Sequence, residues 1–446
     1  MRQTPHQKEV ALLREVILGI RILPPIQPDH LTQEFLQVEE IGIAQPEIDR
    51  LIVVLKQSSS AFFDFLENVA SRFPAMARGT IVYDIRTALL KALADYVNRD
   101  AASIGPRDVE AIEAQLVTWF DRLSTPRRVF VPCIISPWRA PRFSIGPADF
   151  VFIDDIQRSD FYPREDDWLG RSHFDKMIGV MKKGRANWLA RISVEGCERS
   201  KAEEIGNVSA ALAVVAIQLT VSPSFGTRNM GTLDTHRGLT VRTTISEADG
   251  YYFAKRSNVE PGMPIGDGTL AVFLRNAKPA IKAVGRLVNS FATGNYQLPK
   301  LERAWCDAAY WLHEALAENT DTVAIVKLET ALEVLTKAES TSGSQARVEA
   351  ILLTFYSLKP NDPVTSDSVV TARQFAKQIV RDRSQILHGT YSTLHSNMEM
   401  SRSGAETFVI GVIRRAAEEL ELYANSLSPS DDISGFLAWV RAKQES

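Results

Sequence analysis

The sequence predicts a mainly α protein with a central α+β domain and a helical bundle in its C-terminal part. Two patterns and one break predict it. Apolar residues recur every three or four positions through much of residues 1–125 and again after residue 262, the spacing of buried helix faces. Between them, residues 126–262 hold short runs of β-branched and aromatic residues bounded by Pro and Gly. The break is Glu260-Pro-Gly-Met-Pro-Ile-Gly-Asp-Gly268, a turn-rich stretch that makes a natural boundary. Three parts follow: a helical region over 1–125, an α+β domain over 126–262 and a bundle over 263–446.

In the first part, Gln45-Pro46-Glu47 reads as the opening of a helix carrying Ile48, Leu51, Ile52 and Leu55. Ile81, Val82, Ile85, Leu89, Leu93 and Val97 form a second stripe. Pro106-Arg107-Asp108 starts a third helix, whose buried face is Val109, Ile112, Leu116, Trp119 and Phe120. After Pro126 the period changes. Residues 129–135, 149–153 and 188–194 read as strands, with Ser144-Ile145-Gly146 between the first two, and further strands are expected over 239–245 and 251–255.

A helix is expected over 201–219. The apolar run at 208–221 is interrupted by Ser209, Gln218 and Thr220 and is shorter than the roughly 20 residues a membrane span needs, so it reads as a buried helix. In the last part, helices are expected over 269–291 (broken or kinked at Pro279), 298–317, 322–338, 344–356, 369–388 and 405–426, with a loop over 339–344. Trp305 and Trp311 sit at core-like spacing and read as packing residues.

Composition narrows the function. With 51 basic and 54 acidic residues the net charge is −3, so no global field draws the chain to nucleic acid or an anionic membrane, and such binding needs a local patch. The three cysteines, Cys133, Cys197 and Cys306, form no CxxC pair, and the seven histidines form no HExxH, so no metal site and no disulfide framework is expected. No P-loop string occurs. The first residues show no apolar signal-peptide core, and a cytoplasmic chain without membrane contact is expected. Asp154-Asp155 and Asp166-Asp167 read as solvated acidic turns.

The chemistry concentrates in Ala372-Arg-Gln-Phe-Ala-Lys-Gln-Ile-Val-Arg-Asp-Arg-Ser-Gln-Ile-Leu-His-Gly389. Its apolar stripe runs through Phe375, Ile379, Ile386 and Leu387, and Arg383 occupies the core-facing position between. A guanidinium there needs a partner or an open site. Arg373, Lys377, Arg381, Gln385 and His388 share another face. Gly389 is a natural stop, which puts His388 at the helix end, where the dipole favours the imidazolium form. A histidine that exchanges protons beside fixed guanidinium groups suits phosphoryl transfer. The imidazole moves protons and the arginine holds the added negative charge. With RNA, the 2′-hydroxyl supplies the nucleophile.

Arg383-Ser384-Gln-Ile-Leu-His388-Gly389 resembles the Arg-x4-His motif of HEPN domains, in the RSxIxHG form of the Apea-like group, and Leu328-Glu-Thr-Ala-Leu-Glu-Val-Leu335 is similar to the helix that precedes it there. The resemblance covers residues 269–426. It implies a HEPN-like bundle and a homodimer or higher even oligomer, in which two motifs meet in one composite, metal-independent, cofactor-free endoribonuclease site. It also implies a toxin or anti-phage defence role, with residues 1–262 sensing a protein or small-molecule trigger.

Carried over, His388 is the general acid/base and Arg383 the phosphate or transition-state ligand. Arg381, which fits an Arg-x6-His spacing with Asp382 as its polar neighbour, stands second. Helix geometry itself prefers Arg381, because Arg383 lies about 140° around the helix from His388. Glu333 resembles the family's helix glutamate and is placed to orient an arginine. Ser384 belongs to the motif string, and Arg373 and Lys377 are candidate RNA contacts. Some HEPN toxins carry a tyrosine two residues after the histidine. Here Thr390 holds that place and Tyr391 follows, so regulation through that tyrosine is in doubt.

Simpler readings stand beside these: His388 as a helix-terminal cap, Arg383 in a structural ion pair with Glu329 or Glu333, the basic stripe as a solvated face, and His395 as a polar loop residue. The alternative function is a non-catalytic HEPN module for dimerisation or for RNA or nucleotide binding.

Overall fold

The computed structural model describes residues 6–23, 51–97, 99–157, 168–221, 226–234, 240–259, 261–264, 266–337, 341–365, 368–392 and 401–445. Residues 45–48, Asp166-Asp167 and His395 lie outside them. The described residues form fifteen α-helices and nine strands, which makes the protein mainly α. The chain divides into two compact units, one of residues 1–127 with 194–204 and one of residues 128–193 with 205–446.

The first unit contains α1 (Gln7–Gly19), β1 (Ile20–Leu23), β2 (Leu51–Val54), α2 (Lys56–Arg72), α3 (Pro74–Gly79), α4 (Val82–Leu93) and α5 (Pro106–Leu123). Its core is Leu13, Val16, Ile17, Ile20, Phe62, Phe65, Val69, Leu89, Leu93, Ile112 and Leu116. Helix α5 starts at Pro106 as the sequence predicts, where the missing N–H costs no helical bond and the Asp108 carboxylate accepts the Gly105 N–H at 2.9 Å. The strip 194–204 belongs here too: the Glu198 N–H donates to the Gly79 carbonyl at 2.7 Å.

Two expectations fail in this unit. Leu51 and Ile52 belong to a strand, not a helix, with β2 pairing antiparallel to β1 in the register Ile20↔Val54 to Leu23↔Leu51. A run of four apolar residues has no period to separate helix from strand, and the partner strand decides. Val82, read as part of the buried stripe, is exposed because it opens α4 before the helix reaches the core at Ile85.

The second unit carries β3 (Arg127–Ile134), β4 (Phe143–Ile145), β5 (Ala148–Phe152), α6 (Trp168–Gly184), β6 (Trp188–Val194), α7 (Arg199–Gln218), β7 (Gly231–Thr232), β8 (Thr240–Ala248) and β9 (Tyr251–Val259). It continues with α8 (Thr269–Asn276), α9 (Lys278–Thr293), α10 (Pro299–Ala317), α11 (Asp321–Thr336), α12 (Thr341–Tyr356), α13 (Ala372–Leu387), α14 (Arg402–Ala424) and α15 (Ile433–Glu445).

Five strands form one sheet in the order β4-β5-β6-β3-β7. Its aromatic centre is Trp188, wholly buried, with Phe143 and Phe152 each 5.3 Å away between ring centres and the indole N–H donated to the Ser136 carbonyl at 3.0 Å. The β4–β5 turn meets α9 at two glycines. Gly146, with φ +56°, lies against Gly285, and a Cβ on Gly285 would come 2.8 Å from the Gly146 nitrogen. Only bare backbone allows that approach.

The break expected at Pro279 is present: α8 ends at Asn276 and α9 begins at Lys278. The apolar run at 208–221 is a buried helix, and Gln218 at its end donates to the Thr227 and Met230 carbonyls at 3.0 and 2.9 Å while its carbonyl meets His313 Nδ1 at 3.2 Å. Trp305 is buried with its N–H on the Ile413 carbonyl at 2.9 Å, as a packing residue should be. Trp311 is instead 38% exposed and does not belong to the core. Residues 341–344, read as loop, are the first turn of α12. Asp154-Asp155 form a short 3-10 turn in which Asp155 accepts from Arg139 Nε at 3.1 Å, so only Asp154 is simply solvated. Among the described residues no helix is long and apolar enough to cross a membrane.

Candidate functional site

Helix α13 begins with a reciprocal cap. The Thr371 hydroxyl accepts the Gln374 N–H at 3.3 Å, and the Gln374 side chain accepts the Thr371 N–H at 2.8 Å. From there Ala372, Ala376, Ile379 and Ile386 face inward at spacings of four, three and seven, and Arg383 fills the gap in that stripe. The stripe does not continue to Leu387, which is 57% exposed, because the inward face at the last turn is taken by Ile386.

The helix ends as the sequence predicts. His388 is the C-cap residue and donates its backbone N–H to the Ser384 carbonyl at 3.0 Å. Gly389 takes φ +70°, and the Thr390 and Tyr391 N–H groups fold back onto the Gln385 carbonyl at 2.9 and 3.0 Å. That left-handed glycine satisfies carbonyls the helix would otherwise leave open. It also leaves the His388 side chain on the surface.

Arg383 points the other way, onto α11. Its Nη2 lies 2.7 Å from Glu333 Oε2, and its Nε lies 3.0 Å from Glu329 Oε2, a charge contact whose angle falls short of a hydrogen bond. Glu329 is fully buried. Burial pushes its carboxyl up to about 7, with the neighbouring Glu333 charge adding to the rise and the Arg383 guanidinium pulling against it. One guanidinium therefore serves two acidic side chains, and Glu333, the residue expected to orient an arginine, is paired with Arg383. Asp382, beside it, is also buried.

Arg381 is half-buried at the far side of the helix. Its Nε donates to the Gln385 side chain and its Nη2 to the Tyr391 hydroxyl, both at 3.4 Å. Arg373 and Lys377 are exposed along the same face, Arg373 with Glu349 at 3.9 Å. Within one chain, then, Arg373, Lys377, Arg381, Tyr391 and His388 share the open side of α13 and its end, whereas Arg383 belongs to the packed side. Ser384 contributes its backbone carbonyl to the His388 cap.

One feature beside this cluster carried no sequence signal. A groove of about 560 Å³ between α10 and α11 is lined by Lys300, Arg303, Asp307, Glu333 and Lys337. Burial raises the Asp307 carboxyl above its ordinary value despite the nearby Lys337 and Arg303 charges. Lys300, Arg303 and Asp307 come from α10 and Glu333 and Lys337 from the end of α11, and only the packing of the two helices joins the two sets. Among the described residues no group of His, Cys, Asp and Glu is arranged to hold a metal ion, and Glu329 and Glu333 flank an arginine instead. Comparison of the chain with protein families, with characterised proteins and with solved structures finds no match.

Proposed function

We propose that this chain is a HEPN-type endoribonuclease, acting in defence or as a toxin, that cleaves RNA by attack of a 2′-hydroxyl on the adjacent phosphorus. The observation that carries the reading is the placement of His388: an exposed imidazole at the end of a helix whose open face presents Arg373, Lys377 and Arg381. Cations along the face suit a phosphate backbone, and the imidazole sits where that track ends. In the step, the 2′-oxygen bonds to phosphorus as its proton passes to an imidazole. The bond to the 5′-oxygen breaks, and that oxygen takes a proton from the second imidazole of a two-copy site. Arg381 is the phosphate ligand in this arrangement. Arg383, paired with Glu333 and lying against Glu329, positions α13 on α11.

The same Arg383 pairing favours a second reading, in which the bundle binds RNA or a nucleotide without cutting it. A guanidinium whose donors are turned onto two acidic side chains of its own chain is poorly placed to hold a transition state. In either reading residues 1–262 are the proposed trigger-sensing part.

The test is cleavage of total cellular RNA by the purified protein with a chelator present, beside His388→Ala, with the product ends mapped. Cutting by the parent alone, leaving cyclic phosphate and 5′-hydroxyl ends, supports the nuclease. Binding of RNA without cutting, in cells as well as in the tube, supports the module. Equal cutting by both proteins removes His388 from the site.

A further inference from the structure

Among the described residues, β8 and β9 pair only with each other, in an antiparallel ribbon of nine residues per strand running from Thr240↔Val259 to Ala248↔Tyr251. Its turn is built for this shape. Asp249 and Gly250 both have positive φ, +55° and +80°, which matches the right-handed twist of paired strands, and the Glu247 carboxylate accepts the Gly250 N–H at 2.7 Å. The ribbon is thus preformed, yet its large apolar side chains are left exposed by the described residues of its own chain. Ile245 is 66% exposed, Tyr251 72%, Tyr252 79% and Phe253 59%.

Side chains alternate between the faces of a ribbon, so Tyr251 and Phe253 stand on one face while Tyr252 and Ile245 stand on the other. Each face thus carries large apolar side chains among polar ones, and among the described residues neither edge of the ribbon pairs with another strand. A two-stranded ribbon of this kind is marginal in water unless a further layer packs on it.

We propose that the β8–β9 ribbon is a dimerisation arm whose occupant is a second copy of this chain, each copy's arm lying against the other's body. The turn is acidic, with Glu247 and Asp249, and so repels a polyanion at the arm's tip, while Arg242, Lys255 and Arg256 lie further along the two strands. The area argues for a symmetric pair. Aromatic side chains bury roughly 150–250 Å² each, and with 59–79% of each still exposed the three rings and Ile245 together offer about 500 Å² per arm. Two arms with the two surfaces that receive them come to about 2,000 Å², at the upper end of the range of a standard stable interface. One arm alone falls well short of it. The proposal does not depend on the ribonuclease reading, and the surface is separate in sequence from α13.

The experiment is sedimentation of the full chain across micromolar concentrations, beside a Tyr251→Ser, Tyr252→Ser, Phe253→Ser triple variant. These side chains are exposed in the single chain, and the helical circular dichroism of the variant serves as the check that it folds. A second readout is a benzophenone amino acid placed at Tyr252 in the parent and irradiated. The expected result is a dimer for the parent, half that mass for the folded variant, and a photocrosslinked species of twice the chain mass. A parent that stays monomeric overturns the proposal. So does a dimer that persists in the folded variant, which points to an interface elsewhere, such as α13. If the variant does not fold, the crosslink decides: absence of the double-mass species overturns the arm. A monomeric parent that binds a labelled single-stranded oligonucleotide through these tyrosines makes nucleic acid the occupant instead.

Discussion

Arg383 Nε lies 3.0 Å from Glu329 Oε2, an ion pair in which the carboxylate is 1% exposed and the guanidinium 26%. The pair is lopsided: the acid has lost its water and the base has kept part of it. Burial therefore prevails over attraction, and the Glu329 carboxyl rises from 4.5 to about 7.

That rise has a sign. The folded protein holds a proton on Glu329 over a range in which the unfolded chain releases it. The associated stability is fully present below the unfolded value of 4.5 and is lost as pH climbs through about 7. The loss is on the order of 3 kcal/mol. Urea unfolding at a series of pH values should show the decline, and Glu329→Gln should flatten it. A Glu329→Gln protein that keeps the full slope places the titration elsewhere.

Removing the arginine tests the same pair from the other side. Arg383→Ala leaves Glu329 buried and unpaired, which should cost about 3 kcal/mol near pH 8. Near pH 5 the cost should be smaller, since the acid is then protonated. Adding Glu329→Gln should recover most of the loss, and a double-mutant cycle at both pH values measures it. If Arg383 only positions α13, the double variant should also recover most RNA cleavage. If Arg383 touches the reacting phosphate, it should not.

His388 should behave in the opposite way. Its side chain is exposed, so His388→Ala should change unfolding stability by no more than about 0.5 kcal/mol. RNA cleavage should fall by a factor of about 100 or more, the usual worth of a general acid/base. A loss of stability matching the loss of activity would return His388 to the role of a helix cap.

Gly285→Ala should destabilise by about 1–3 kcal/mol, because the new methyl meets the backbone of the β4–β5 turn rather than a movable side chain. Calorimetry reads the shift in melting temperature. Gly404 in the first turn of α14, whose Cβ would meet only the Ser401 hydroxyl at 3.1 Å, is the control and should tolerate alanine far better.

Much of this architecture is legible in the sequence where a segment is long and its signals agree. Strand 188–194 has the expected limits, Pro299 opens α10 and Pro279 marks the α8–α9 break. Short or mixed segments are not legible. Ile20-Arg-Ile-Leu23 carries no period, and α6, with its internal Gly170 and Gly179 and scattered charges, offers no clean stripe. The site divides in the same way. Gly389 and the gap in the α13 stripe foretell the helix end and the inward arginine. The burial of Asp382 and the α10–α11 groove depend on which helices pack together, which no local pattern encodes.

The Glu198–Gly79 contact has a consequence for how the protein is made. The first unit is written in two instalments, and its last strip, 194–204, leaves the ribosome on the order of ten seconds after residue 127 at ordinary translation rates. Until then the Gly79 carbonyl has no backbone partner from that strip. A nascent chain must therefore hold an unfinished surface while the sheet-forming residues are still emerging, and that interval is when a chaperone has most to shield. A gene cut at residue 127 makes the interval permanent.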